Sequence, residues 1–138
     1  MLSQIETWIA AKRWRLSASH CIEALLIQGP VTGVLLLLAG LMLLYMRFFG
    51  AGGFVPLALL VALLSPWAGV LAVIAWYWAR KKLEVETSLA NGRSHAFTWA
   101  DGWFPWQWDA YQRLDVLFPA VSSFLLAALL AVGLTALL

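Results

Sequence analysis

The sequence predicts an all-α integral membrane protein with three transmembrane helices, the N-terminus in the cytoplasm and the C-terminus outside. Three observations predict this. Of 138 residues, 63% are hydrophobic and only 12% charged, and mean hydropathy is +0.84; soluble domains run near about 45–50% apolar and about 25% charged. Three stretches are apolar over lengths close to the roughly 20 residues that cross a hydrocarbon core of about 30 Å. Eight of the nine Lys and Arg precede the first stretch or separate the second from the third. An N-terminal interfacial helix and a helical, Trp-rich cytoplasmic segment between the second and third spans complete the expected architecture.

Residues 1–23 open with "SQIE", in which Ser3 and Glu6 have the spacing of a capping box. A helix from there places Trp8, Ala11, Trp14, Ala18, Ile22 and Leu25 on one side, with Arg15 intruding on it. Such a helix suits the cytoplasmic interface, its bases near anionic head groups. A cleaved signal peptide fits poorly, because the apolar run that follows exceeds a typical signal core and no small-x-small site precedes a polar segment.

The first span is 24–49, of which 31–46 is the apolar centre. Sixteen residues rise only about 24 Å, so the span borrows the stretch before it, and Gly29-Pro30 there predicts a kink or a helix start at Pro30. Residues 50–53 form a short external turn. The second span, 54–79, is free of charge over 26 positions and carries Pro66 at its centre, where the ring crowds the carbonyl of Ala62 and bends the helix. Trp67 beside it lies away from the interface that tryptophan favours, which points to protein contact or a partner for its indole N–H. The third span, 116–138, is free of charge over 23 positions.

Between these lies the cytoplasmic segment 80–115. "RKKLEVETSLANG" extends the second span as helix, with Asn91-Gly92 as its stop. Pro105 suits the first turn of a new helix through "WQWDAYQRLD", on which Trp103, Trp106, Ala110, Leu114 and Leu117 share a side, and Pro119 bends the chain into the third span.

Cytoplasmic loops retain Lys and Arg, so the placement of Lys12, Arg13, Arg15, Arg80, Lys81, Lys82, Arg93 and Arg113, with Arg47 alone on the other side, sets the orientation. Of these, Lys12, Arg13, Arg15, Arg80, Lys81 and Lys82 are expected at the membrane surface. Small residues predict helix packing: Ala58, Ala62, Ser65, Gly69 and Ala72 step by four and three along the second span, and Ser123, Ala127, Ala131 and Thr135 recur every four along the third. Gly29 and Gly33 make one GxxxG on the first.

No charged residue lies deep in any span, and His20, Glu23 and Arg47 fall at the edges. Pumps, transporters and proton pathways depend on intramembrane ionisable groups, so the sequence argues against a self-contained one. Two histidines 75 residues apart, His20 and His95, match no metal spacing, and Cys21 cannot form an internal disulfide. No catalytic residue, cofactor or metal is expected, and a net charge of +2 does not argue for nucleic acid.

The remaining feature is "WADGWFPWQWDA", which holds four of nine tryptophans. Trp99, Trp103, Phe104, Trp106, Trp108 and Tyr111 suit an interfacial belt and a docking surface, since amphipathic rings gain at the bilayer boundary and at protein interfaces alike. The expected role is a non-catalytic accessory or assembly subunit of a larger complex in a bacterial inner membrane. Its partners are other integral membrane proteins or further copies of itself, together with anionic lipid at the cytoplasmic face. The alternatives are a self-assembling membrane-active protein, holin-like or a toxic effector, and a small protein that handles lipid or haem.

Overall fold

The computed structural model describes residues 2–50, 53, 55–92 and 100–137, with the side chains of Leu2, Ser3, Glu6 and 89–92 left aside. Within them the chain is all helical. Helix α1 is Leu2–Ala10, α2 Arg13–Phe49, α3 Val55–Gly92 and α4 Ala110–Leu137, with one 3-10 turn at Pro105–Gln107. Helices α2, α3 and α4 each contain a stretch long and apolar enough to cross a membrane. At 37, 38 and 28 residues, they rise about 56, 57 and 42 Å, all beyond the hydrocarbon thickness of about 30 Å.

The three pack as an up-down-up bundle. His20 meets Tyr77, Gln28 meets Gly69 and Thr32 meets Ser65, so α2 and α3 run antiparallel. His20 meets Asp115 and Gln28 meets Ser123, so α4 runs parallel to α2. The ends of α2 and α3 near residue 50 lie together, and Gly50 closes α2 in the left-handed region (φ 68°), donating its N–H to Met46 O at 3.0 Å.

Several expectations change. The N-terminal helix is two pieces: α1 ends at Ala10, Lys12 is extended, and residues 13–23 are the first turns of α2 itself. The Arg15 guanidinium holds this corner, donating to Trp8 O at 3.0 Å and lying 4.1 Å from the Trp8 ring centre. The proposed apolar side faces outward, with Trp8, Trp14 and Ile22 all exposed, because the polar side of these turns is the one buried. Pro30 neither starts nor breaks a helix but lies inside α2. The Ser3–Glu6 capping box falls outside the described side chains.

The Trp-rich segment is not a helix. After the 3-10 turn, Trp108 and Asp109 are non-helical and α4 starts at Ala110 and continues unbroken past Pro119. The start is fixed by a reciprocal cap: Gln112 N–H donates to Asp109 Oδ1 at 2.7 Å and Asp109 N–H to Gln112 Oε1 at 2.9 Å. Asp109 is therefore the N-cap of α4, while Pro105 opens the 3-10 turn ahead of it.

Helix association in lipid has no hydrophobic drive and relies on close packing and hydrogen bonds. The predicted stripes supply the packing inside the chain: Ala58, Ala62, Ser65 and Gly69 on α3, and Ser123 and Ala127 on α4, are buried between the helices, while Ala72 and Ala131 are half-buried. Gly69 marks the closest approach, since a Cβ there would sit 2.7 Å from Gln28 Cγ and Thr32 Oγ1. The GxxxG of α2 is not used. Gly29 and Gly33 are exposed, with nothing within 4 Å of a Cβ at either.

Candidate functional site

The α2 face that meets the other helices is polar. Ser17, His20, Ala24, Gln28 and Thr32 are all buried and follow one another by three or four residues. This spacing puts them on one stripe. They form two polar layers against α3 and α4.

The deeper layer centres on Gln28, fully buried. Its Nε2 donates to Ser123 O at 3.0 Å and to Pro66 O at 3.5 Å, while Thr32 Oγ1 donates to Ser65 O at 3.3 Å. Pro66 lacks the N–H that would bond the Ala62 carbonyl. Ser65 Oγ supplies the replacement, donating to Ala62 O at 2.8 Å. Trp67 finds the protein contact expected of it, an edge-to-face pairing with Phe124 at 5.2 Å.

The second layer is ionic. Lys81 Nζ lies 2.8 Å from Asp115 Oδ2 and 2.6 Å from Glu84 Oε2. His20 Nε2 lies 3.7 Å from Asp115 Oδ1, and its Nδ1 3.2 Å from Glu23 Oε2. Tyr77 OH donates to His20 O and Glu23 Oε2, and Arg80 Nη1 reaches Glu23 Oε2 at 3.4 Å. Arg13 closes the far side, 3.8 Å from Asp115. With three cations, Arg13, Arg80 and Lys81, facing three anions, Glu23, Glu84 and Asp115, the cluster is neutral while His20 is uncharged.

Lys81 is therefore not a surface base. Its side chain is 2% exposed and that of Asp115 3%. A lysine buried this far needs a partner, because desolvating an ion costs several kcal/mol that only a close counter-charge offsets. Lys82 turns the other way, pairing with Glu86 and lying 5.2 Å from the Trp103 ring centre. Lys12 and Arg13 are exposed, Arg15 is half-buried in the corner described above, and Arg80 is exposed in its ion pairs.

The sequence reading missed His20, Gln28, Tyr77, Lys81 and Asp115 as one interior. His20 and Lys81 fall outside the charge-free runs and read as an edge and a surface group, and Asp115 carries no signal of its own, yet helical register brings all three into the bundle. The visible signal was the three- and four-residue spacing of Ser17, His20, Ala24, Gln28 and Thr32.

The tryptophans divide. Trp108 is a buried peg, 3% exposed, donating its indole N–H to Gly102 O at 2.8 Å and packing edge-on against Trp78 at 5.0 Å. Trp78 Nε1 donates to Trp103 O at 2.8 Å. Gly102 lets the hook lie flat on α3: its φ is +80°, and a Cβ there would come 2.9 Å from Lys82 O. Phe104 and Trp106 stack face to face at 4.4 Å on the outside, Trp106 72% exposed, with Trp103 and Tyr111 also exposed. Trp99, Arg93 and His95 lie outside the described residues.

Chemically this interior ties helices together. Among the described residues no group of three His, Cys, Asp or Glu is placed to hold a metal ion. No family model, curated protein or solved structure matches the chain.

Proposed function

We propose that this is a small, non-catalytic, multi-pass protein of a bacterial inner membrane, N-terminus in the cytoplasm and C-terminus outside, that serves as an accessory or assembly subunit of a larger membrane complex. The observation that carries the reading is the Phe104–Trp106 stack, held outward on a hook that Trp108 pegs into the bundle. A rigid, exposed aromatic pair is what protein interfaces concentrate, because it offers contact area at little cost in side-chain freedom. The buried polar groups support the same reading, since His20, Gln28, Lys81 and Asp115 make their contacts across the helices of this chain. The small-residue stripes are covered by the chain's own helices, so the partner surface is the hook and the outer apolar faces. Anionic lipid at the same end is the second partner, and further copies of the chain are an alternative occupant of those faces.

Orientation draws on the basic residues. Lys12, Arg13, Arg15, Arg80, Lys81, Lys82 and Arg113 share one end of the bundle, with Arg47 at the other.

The test is capture in cells with a photo-reactive benzoylphenylalanine at Trp106, followed by purification in mild detergent. A discrete adduct with one integral membrane protein is expected. A monodisperse monomer with no adduct at Trp106 or Phe104 would overturn the subunit reading. A reporter fused after Leu138 that is active only in the cytoplasm would overturn the orientation.

A further inference from the structure

Beside the hook, the outer surface of the bundle carries an apolar groove between α3 and α4. Its upper part, a pocket of about 360 Å³, is walled by Trp78, Trp108 and Leu117 and has Arg113 at its mouth. The lower part, about 280 Å³, is walled by Val70, Val121 and Leu125. Both parts have Ile74 and Ala120 in their walls, so they adjoin along the α3–α4 seam with only the small Ala120 side chain of α4 between them. Trp67 against Phe124 lies at its lower end.

Three features define what fits. The first is length: from Arg113 to Phe124 along α4 the helix rises about 16 Å, about half of a hydrocarbon core of about 30 Å, which is the depth of one leaflet. Charge is the second. Arg113 Nε donates to Pro105 O at 2.9 Å, and its terminal nitrogens have no partner among the described residues, unlike the paired Arg80 and Lys81 nearby. A guanidinium held in place with free donors recognises phosphate oxygens. The third is width. The pockets are too small to seat a helix of about 10 Å diameter, but an extended hydrocarbon chain needs no such room.

We propose that this groove is a specific site for one anionic phospholipid, its phosphate on Arg113 and one acyl chain laid along Ile74 and Ala120 as far as the Trp67–Phe124 pair. The site rests on the membrane placement of the three helices and not on the subunit reading, so either can fail alone.

Native mass spectrometry of the delipidated full chain tests it, with palmitoyl-oleoyl phosphatidylglycerol and the phosphatidylcholine of the same chains as probes. One phosphatidylglycerol per chain is expected, in preference to phosphatidylcholine. Arg113→Gln should lower that occupancy about ten-fold with the unfolding midpoint unchanged, and Ala120→Leu should lower binding of both lipids. Lys12→Gln, an exposed base away from the groove, should change nothing, and inorganic phosphate should not displace the lipid. The proposal is overturned if Arg113→Gln binds like the parent, if Lys12→Gln loses as much, or if free phosphate competes fully. It is equally overturned if benzoylphenylalanine at Leu117 in cells captures a protein instead of lipid.

Discussion

Replacing Lys81 by Met tests whether the ionic layer holds the bundle. Methionine keeps the unbranched stem and removes the charge. At an effective dielectric of about 20, the attraction between Lys81 Nζ and Asp115 Oδ2 at 2.8 Å is worth about 6 kcal/mol. Desolvation of the two ions is of similar size, so the intact pair contributes little net stability. Removing one partner is different. Without Lys81, the Asp115 carboxylate stays buried with the Ser17 hydroxyl, Arg13 at 3.8 Å, itself about half exposed, and the His20 imidazole at 3.7 Å. The expected cost is about 3–5 kcal/mol. Asp115→Asn should cost less, about 1–3 kcal/mol, because Lys81 keeps Glu84 at 2.6 Å. The double variant Lys81→Met/Asp115→Asn should recover much of the loss, leaving a coupling energy of about 2–3 kcal/mol in the cycle. Unfolding followed by tryptophan fluorescence in mixed detergent and dodecyl sulfate measures all four proteins. The reasoning fails if Lys81→Met lies within about 1 kcal/mol of the parent, or if the double variant is no better than Lys81→Met.

The same assay checks three further expectations. Gly69→Ala should cost about 1–3 kcal/mol, because its new Cβ meets Gln28 and Thr32 at 2.7 Å, whereas Gly33→Ala, with open space around it, should stay within about 0.5 kcal/mol. Trp108→Ala should cost about 3–5 kcal/mol and expose the hook to limited proteolysis around residues 100–109, while Trp106→Ala should leave stability unchanged. Gly102→Ala should cost about 1–3 kcal/mol, since its φ of +80° and the nearby Lys82 carbonyl both oppose a side chain.

The three membrane helices were legible from the sequence because about 20 consecutive apolar residues have few other stable solutions. Helix packing was legible too, in the stripes through Ala58, Ser65, Gly69 and Ser123, since small residues are where backbones approach. Two things were not. Charge-free runs mark the apolar spans but not where a helix begins: α2 begins eleven residues before 24, whereas the continuation of α3 to Gly92 was legible in "RKKLEVETSLANG" and its Asn91-Gly92 stop. His20 and Lys81 lie in the parts of α2 and α3 beyond the charge-free runs and Asp115 one residue ahead of the third run, so they read as solvated edges until the register of three helices brings them together. The Trp-rich segment misled for another reason. Trp103 and Trp106 have helical spacing, but Gly102 at positive φ, Pro105 and the Asp109–Gln112 cap form a turn there, and local turn chemistry overrides a period carried by two residues.

The two polar layers have different tasks, and their separation says which sets the register. His20 and Gln28 are eight residues apart on α2, as are Asp115 and Ser123 on α4, so the layers stand about 12 Å apart. Sliding one helix by a turn, about 5.4 Å, would break both at once, so the two layers share one alignment. The deeper layer bonds an uncharged amide to backbone carbonyls, and interhelical bonds of this kind average about 0.6 kcal/mol because alternative partners exist in the unfolded chain. Gln28→Leu therefore removes two such bonds and should cost about 1 kcal/mol. The ionic layer has a poorer alternative, since Lys81 out of register keeps Glu84 on its own helix but loses the buried Asp115 carboxylate. A loss on Gln28→Leu as large as that on Lys81→Met would place the register-setting contact in the middle of the bundle and not at its charged end.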